Sequence, residues 1–208
     1  MKRTPLYVFA RAIAAKVTFP FVPYTVKNKE RFPKEGRVGV CCNHLSNSDP
    51  VRLSCSQRRQ IFYMAKAELF QFKPFGFILK KLGAFPVQRG KGDVEAIDSA
   101  AELLHEECAI GVFIEGTRSK DGELGKPKAG AVMLAYQNQA PILPVCITPV
   151  GSKKPRLFHR TIISIGELIP CEQLGIQEGT GVEFRNASRL VMDKIRELRE
   201  RDLREMQG

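Results

Sequence analysis

The 208-residue sequence predicts an α/β fold: a single domain with a mixed, largely parallel sheet flanked by helices, preceded by an amphipathic N-terminal helical segment. Three observations point there. Short apolar or β-branched runs alternate with segments of helical periodicity, the pattern of helices crossing over a largely parallel sheet. No linker or low-complexity tract divides the chain, and 43% hydrophobic content is enough for one sizeable core. The polar residues that stand out fall where strands give way to helices, and ligands of open α/β sheets bind outside the carboxyl ends of parallel strands.

Residues 6–24 are apolar but interrupted by Arg11 and Lys16. That breaks both a membrane span of about 20 apolar residues and the unbroken core of a secretory signal. Leu6, Phe9, Ala10, Ile13 and Val17 recur at helical spacing, with Lys2, Arg3, Arg11 and Lys16 supplying charge. The pattern suits a helix lying in an anionic lipid interface and equally a helix docked on the protein's own core. Residues 1–24 are read as this membrane-contact segment and 25–208 as the α/β domain.

Strands are expected near 37–42, 61–65, 84–88, 110–114, 141–148 and 161–166, with helices in the gaps. Asp49-Pro50 reads as an N-cap followed by proline at the first helical position, opening a helix toward Gln60. Asp93 likewise precedes the stripe Val94, Ile97, Ala101 and Leu104, which runs to about Cys108. A third helix is expected over 128–139. The last, over 182–206, sets Phe184, Val191, Ile195 and Leu198 on one side and mixed charge on the other, a solvated face with i,i+4 pairs.

Thirty-three Lys and Arg against 22 Asp and Glu leave a net charge of +11. That attracts anionic partners in general: nucleic acid, acidic lipid or phosphorylated substrates. Cys41, Cys42, Cys55, Cys108, Cys146 and Cys171 show no C-x-x-C spacing, and the three histidines are scattered, so free buried thiols and no metal are expected. No G-x-S-x-G elbow and no glycine-rich phosphate loop appears, which counts against hydrolases, nucleotidases and dehydrogenases; no cofactor is expected. No recognised nucleic-acid module appears, so no nucleic-acid partner is expected.

Two motifs carry chemistry. In Asn43-His44-Leu45-Ser46-Asn47-Ser48-Asp49 the imidazole can take a proton from a hydroxyl near neutral pH, and a carboxylate on its other nitrogen fixes the tautomer. Asp49 is also what a helix start wants without any chemistry. In Glu115-Gly116-Thr117-Arg118-Ser119 the Arg118 guanidinium offers a planar fork matched to phosphate oxygens, although the segment also reads as a turn closing on Asp121-Gly122. Lys66 and Arg89 share the same strand-end placement. Cys41 and Cys42 adjoin His44, but alternating faces of a buried strand explain them better than a thiol nucleophile does.

Taken in order, Asn-His-x-Ser-x-x-Asp at 43–49, Lys66-Ala-Glu-Leu with Pro74 and Gly76, the run from Gly83 to Arg89, Glu115 to Ser119 with Lys128 and Gly130, and Pro141 to Val145 resemble the blocks of the glycerolipid acyltransferases, and within them the bacterial 1-acyl-glycerol-3-phosphate acyltransferases. The resemblance covers about residues 25–170. Ile114 and Gln88 depart from it, standing where proline and aspartate are common.

The resemblance implies His44 and Asp49 as catalytic residues. Lys66, Arg89, Glu115, Gly116, Thr117 and Arg118 are implied to bind substrate. It implies transfer of a fatty acyl group from acyl-CoA or acyl carrier protein to the free 2-hydroxyl of 1-acyl-glycerol-3-phosphate, giving phosphatidic acid. The partners are then that thioester donor, a lysophospholipid acceptor and an anionic membrane surface, with the enzyme cytoplasmic and peripheral on the inner face of the cell membrane. Glycerol-3-phosphate or another lysophospholipid is the alternative acceptor. A nonenzymatic protein binding an anionic surface would account for the charge but not for the motif order.

Overall fold

Val38, Val40 and Cys42 project to one face of a strand and Cys41 to the other, and both faces are covered, which is why this run is continuously apolar. In the computed structural model, which describes residues 5–18, 20–87 and 94–207, the run lies at the centre of one seven-stranded sheet. Its strands are β1 (Tyr24–Lys27), β2 (Val38–Cys42), β3 (Ile61–Lys66), β4 (Ala84–Val87), β5 (Ala109–Phe113), β6 (Ile142–Pro149) and β7 (Thr161–Ile165). The spatial order is β1-β7-β6-β2-β5-β3-β4. The five strands from β6 to β4 are parallel, β7 is antiparallel to β6, and β1 is parallel to β7.

The helices are α1 (Pro5–Thr18), α2 (Asp49–Ser56), α3 (Lys73–Lys81), α4 (Val94–His105), α5 (Gly130–Gln137) and α6 (Gly181–Glu205). One core cluster joins Leu104 of α4, Val132 of α5 and Met192 and Ile195 of α6 to Cys41, Ile110 and Ile142 of the sheet. On the opposite face, Leu53 of α2 packs with Val40, Leu143 and Ile163. Each fully buried leucine or isoleucine contributes roughly 1.5–3 kcal/mol. α1 lies against α2 on that second face. The Tyr7 hydroxyl donates to the Arg59 carbonyl at 3.4 Å, and Arg11 Nε to the Gln57 carbonyl at 2.8 Å.

The expected strands all form, with ends shifted by a residue or so at most among the described residues. β1 was not expected: its four residues carry little apolar pattern, and it exists because it pairs with β7. α2 stops at Ser56 rather than near Gln60, since Gln57 is extended and Gln57, Arg59 and Gln60 form a buried connection. There the Arg59 guanidinium donates to the carbonyls of Pro33, Glu35, Gly36 and Glu107. The expected cap at Asp93 lies outside the described residues. All six cysteines are free and five are buried. Burial pushes the Cys41 and Cys146 thiols up to about 12, which leaves them protonated and inert as nucleophiles. Among the described residues, no helix is long and apolar enough to cross a membrane.

α6 begins in a capping box, with Glu183 N–H donating to Thr180 Oγ1 and Thr180 N–H to the Glu183 carboxylate. Near its other end the fully buried Asp202 accepts from Thr148 Oγ1 at 2.9 Å, Ser164 Oγ at 2.7 Å and Lys27 Nζ at 2.9 Å, tying α6 to β6, β7 and β1. Asp202→Ala leaves two buried hydroxyls and an ammonium without this acceptor, and is expected to lower unfolding free energy in urea by about 3 kcal/mol. A loss within about 0.5 kcal/mol, the range of an ordinary surface substitution, would show that the latch is not needed.

Candidate active site

The parallel register of β2 against β5 pairs Cys42 with Phe113. Two residues further along each strand stand His44 and Glu115, so strand pairing alone sets the two motifs side by side at the carboxyl edge of the sheet. Ile114 N–H extends the ladder to the Cys42 carbonyl at 3.0 Å. Beyond it the Glu115 carboxylate accepts from His44 N–H at 3.1 Å and from Gly125 N–H at 2.9 Å. Ser119 N–H then donates to the His44 carbonyl at 2.8 Å. The His44 peptide is thus held on both sides by the segment that carries Arg118.

His44 is 9% exposed, and its ring stacks on Phe113 with centroids 3.9 Å apart and planes at 17°. Its Nδ1 lies 2.9 Å from Asp49 Oδ2. The same oxygen accepts from Leu45 N–H and Ser46 N–H, each at 2.7 Å. With Nδ1 donating to that carboxylate, the lone pair of His44 is on Nε2. Asp49 is therefore not the expected N-cap. It is the first residue of α2, and its carboxylate turns back into the loop instead of toward the helix amides. The Leu45 and Ser46 amides are consequently committed to Asp49 and are not free to stabilise an oxyanion. Asn43, fully buried, exchanges two hydrogen bonds with Ile147, at 3.0 and 2.8 Å, and pins the end of β2 to β6.

Glu115 has both oxygens occupied by backbone amides, which gives it a bracing position. Gly116 follows with φ +69°, and a Cβ there would press on the Lys128 side chain. Thr117 and Arg118 are exposed, and together with Ser119, Lys120 and Lys126 they line a cleft of about 250 Å³. Lys66 ends β3 on the same edge, but its ammonium pairs with Glu68 at 2.9 Å and both are half exposed. Arg89 lies outside the described residues.

Sequence reasoning did not single out Phe113, Lys120, Lys126 or Arg52. Arg52, one helical turn after Asp49, is buried and bound to Ser48 Oγ and Thr161 Oγ1, each at 3.1 Å. Its spacing from Asp49 was the available signal. Beside Ser48 a second cleft of about 310 Å³ opens, walled by Phe21, Val22, Tyr24, Val51, Cys55 and Leu157 and almost wholly apolar.

The acyltransferase family model matches residues 23–148. The 1-acyl-sn-glycerol-3-phosphate acyltransferase of Bacillus subtilis strain 168 is 39% identical over 137 residues, which make up 65% of this chain and 67% of that protein. The chloroplastic LPAT1 of Arabidopsis thaliana, also a 1-acyl-sn-glycerol-3-phosphate acyltransferase, is 27% identical over 72% of this chain and 42% of its own length. The chain thus spans about two thirds of the bacterial relative and under half of the plant one. The crystal structure of the 1-acyl-sn-glycerophosphate acyltransferase PlsC from Thermotoga maritima superposes with a TM-score of 0.71 at 25% identity, covering 92% of this chain and 79% of that one.

Burial raises the Glu115 carboxyl above its ordinary value, against the lowering effect of the His44 and Gly125 amides. A group whose folded-state pKa is raised contributes stability that is whole at low pH and declines as pH rises through the folded value. Glu115→Gln removes this titration. The stability of the wild type relative to the variant is expected to increase on acidification from neutrality, read by urea unfolding at successive pH values. A difference independent of pH would refute the assignment.

Proposed function

The chain belongs to the acyltransferase family, and from that premise we propose that it transfers a fatty acyl group from a thioester to the free 2-hydroxyl of 1-acyl-glycerol-3-phosphate, giving phosphatidic acid. The observation that carries the reading is the pairing of His44 Nδ1 with Asp49 Oδ2 at 2.9 Å, in a loop hydrogen-bonded to the segment bearing Arg118. A base for a hydroxyl and a fork for a phosphate are thereby held together.

His44 Nε2 takes the proton of the glycerol hydroxyl as its oxygen attacks the thioester carbonyl carbon. Asp49 stabilises the imidazolium that forms. Collapse of the tetrahedral intermediate expels the thiolate, which recovers the proton from His44. No acyl-enzyme is required, because a thioester is already activated and the remaining barrier lies in orientation and charge. Arg118 holds the acceptor phosphate, with Lys120 and Lys126 adding positive charge in the same cleft. Glu115, Gly116 and Thr117 shape that cleft, and Lys66 and Arg89 supply further contacts to the substrate. The apolar cleft beside Ser48 receives an acyl chain. Coenzyme A and acyl carrier protein both suit the basic surface as carriers of the donor.

The substrate is a lipid, so the enzyme meets an anionic membrane surface, on this reading the inner face of the cell membrane. α1 supports this: Tyr7 and Arg11 tie it to the domain while Val8, Phe9 and Ile13 face outward.

His44→Ala is expected to lower kcat by roughly 10²–10⁴-fold with the unfolding midpoint unchanged, in an assay of labelled acyl transfer to lysophosphatidic acid. Undiminished turnover would remove His44 as the base. Arg118→Ala is expected to raise KM for the phosphorylated acceptor by roughly tenfold or more while leaving kcat much less affected. An unchanged KM would place the phosphate elsewhere.

A further inference from the structure

The antiparallel turn from β6 into β7 brings residues 150–160 to the same edge of the sheet as His44, because β6 is parallel to β2. This loop reads Val-Gly-Ser-Lys-Lys-Pro-Arg-Leu-Phe-His-Arg, with four cations, one histidine and no acidic residue. Its base is closed by Val150 N–H donating to the Arg160 carbonyl at 2.9 Å. On one side it abuts the phosphate-cleft segment, since a side chain at Gly122 would collide with the Lys153 carbonyl.

On its other side the loop presents apolar surface to solvent. Leu157 is 63% exposed and Phe158 69%. Phe158 has φ +63°, a left-handed conformation unusual for a bulky residue, and its N–H donates to the Phe21 carbonyl at 2.6 Å. The Phe21 and Phe158 rings lie 5.7 Å apart, and Phe21, Val51 and Leu157 wall one mouth of the apolar cleft. Four large apolar side chains from three separate segments therefore meet in one exposed patch, rimmed by Arg156 and Arg160, whose side chains are also exposed. Apolar groups standing out beside exposed arginines match a monolayer, with acyl chains below and anionic headgroups above.

We infer that the β6–β7 loop is a membrane-docking element additional to α1, inserting Leu157 and Phe158 into an anionic lipid monolayer beside the apolar cleft while Arg156 and Arg160 meet the headgroups. The inference deepens the lipid-acylation reading and rests on it. It places the mouth of the cleft at the lipid surface, so that a lysophospholipid enters it without leaving the monolayer.

The test is co-sedimentation of the full chain with vesicles of phosphatidylcholine alone or with phosphatidylglycerol added. It is run beside acyl transfer in solution to a short-chain, monomeric lysophosphatidic acid. Phe158→Ser is expected to weaken binding to both vesicle types by roughly tenfold. Arg156→Gln with Arg160→Gln weakens binding to the anionic vesicles alone, by roughly thirtyfold. Solution transfer and the unfolding midpoint stay at wild-type values in all variants. Wild-type vesicle affinity in both variants overturns the inference. So does retained affinity with loss of transfer in solution, which would assign the loop to the thioester carrier. Vesicle binding is read without any turnover, so a wild type that binds vesicles but transfers nothing would overturn the proposed reaction and not the docking loop.

Discussion

The site depends on the two hydrogen bonds that clasp the His44 peptide, one from its N–H to Glu115 and one to its carbonyl from Ser119. They join two loops that leave neighbouring parallel strands, and they exist because the β2–β5 register delivers both loops at the same height. Each loop alone would be a solvated turn. Clasped together, they hold the His44 imidazole and the segment bearing Arg118 in one frame.

Electrostatics in this frame are arranged by burial. Asp49 is fully buried, and its Oδ2 collects three donors, the His44 ring and the Leu45 and Ser46 amides. Phe113 stacks on the other face of that ring and limits its rotation. Burial acts on a neighbouring thiol as well: Cys42, beside Asp49 and Glu115, is driven far above its ordinary value by desolvation, with the nearby negative charge adding to it.

The fold was legible where burial on both sides of the sheet makes a strand continuously apolar, as in Val38–Cys42 and Ile142–Pro149, and where a helix shows one clear stripe, as in Gly181–Glu205. It was not legible at Tyr24–Lys27, an edge strand whose partner lies more than 130 residues away in sequence. The helix start at Asp49-Pro50 was read for the right place and the wrong reason. The residue types were those of a cap, but the carboxylate had a stronger set of donors in the preceding loop.

By itself the sequence determined the α/β class, the excess of positive charge and the order of the motifs, and it singled out His44, Asp49 and Arg118 as candidate site residues. Those follow from local periodicity and side-chain chemistry, which a chain carries before it folds. Only the tertiary structure decided that Glu115 braces the His44 loop, that the Leu45 and Ser46 amides are spent on Asp49, that Phe113 stacks on the His44 ring, and that Phe21, Val22, Tyr24, Val51, Cys55 and Leu157 wall one apolar cleft. These are contacts between segments distant in sequence. They depend on strand order and register, which single-segment patterns do not encode.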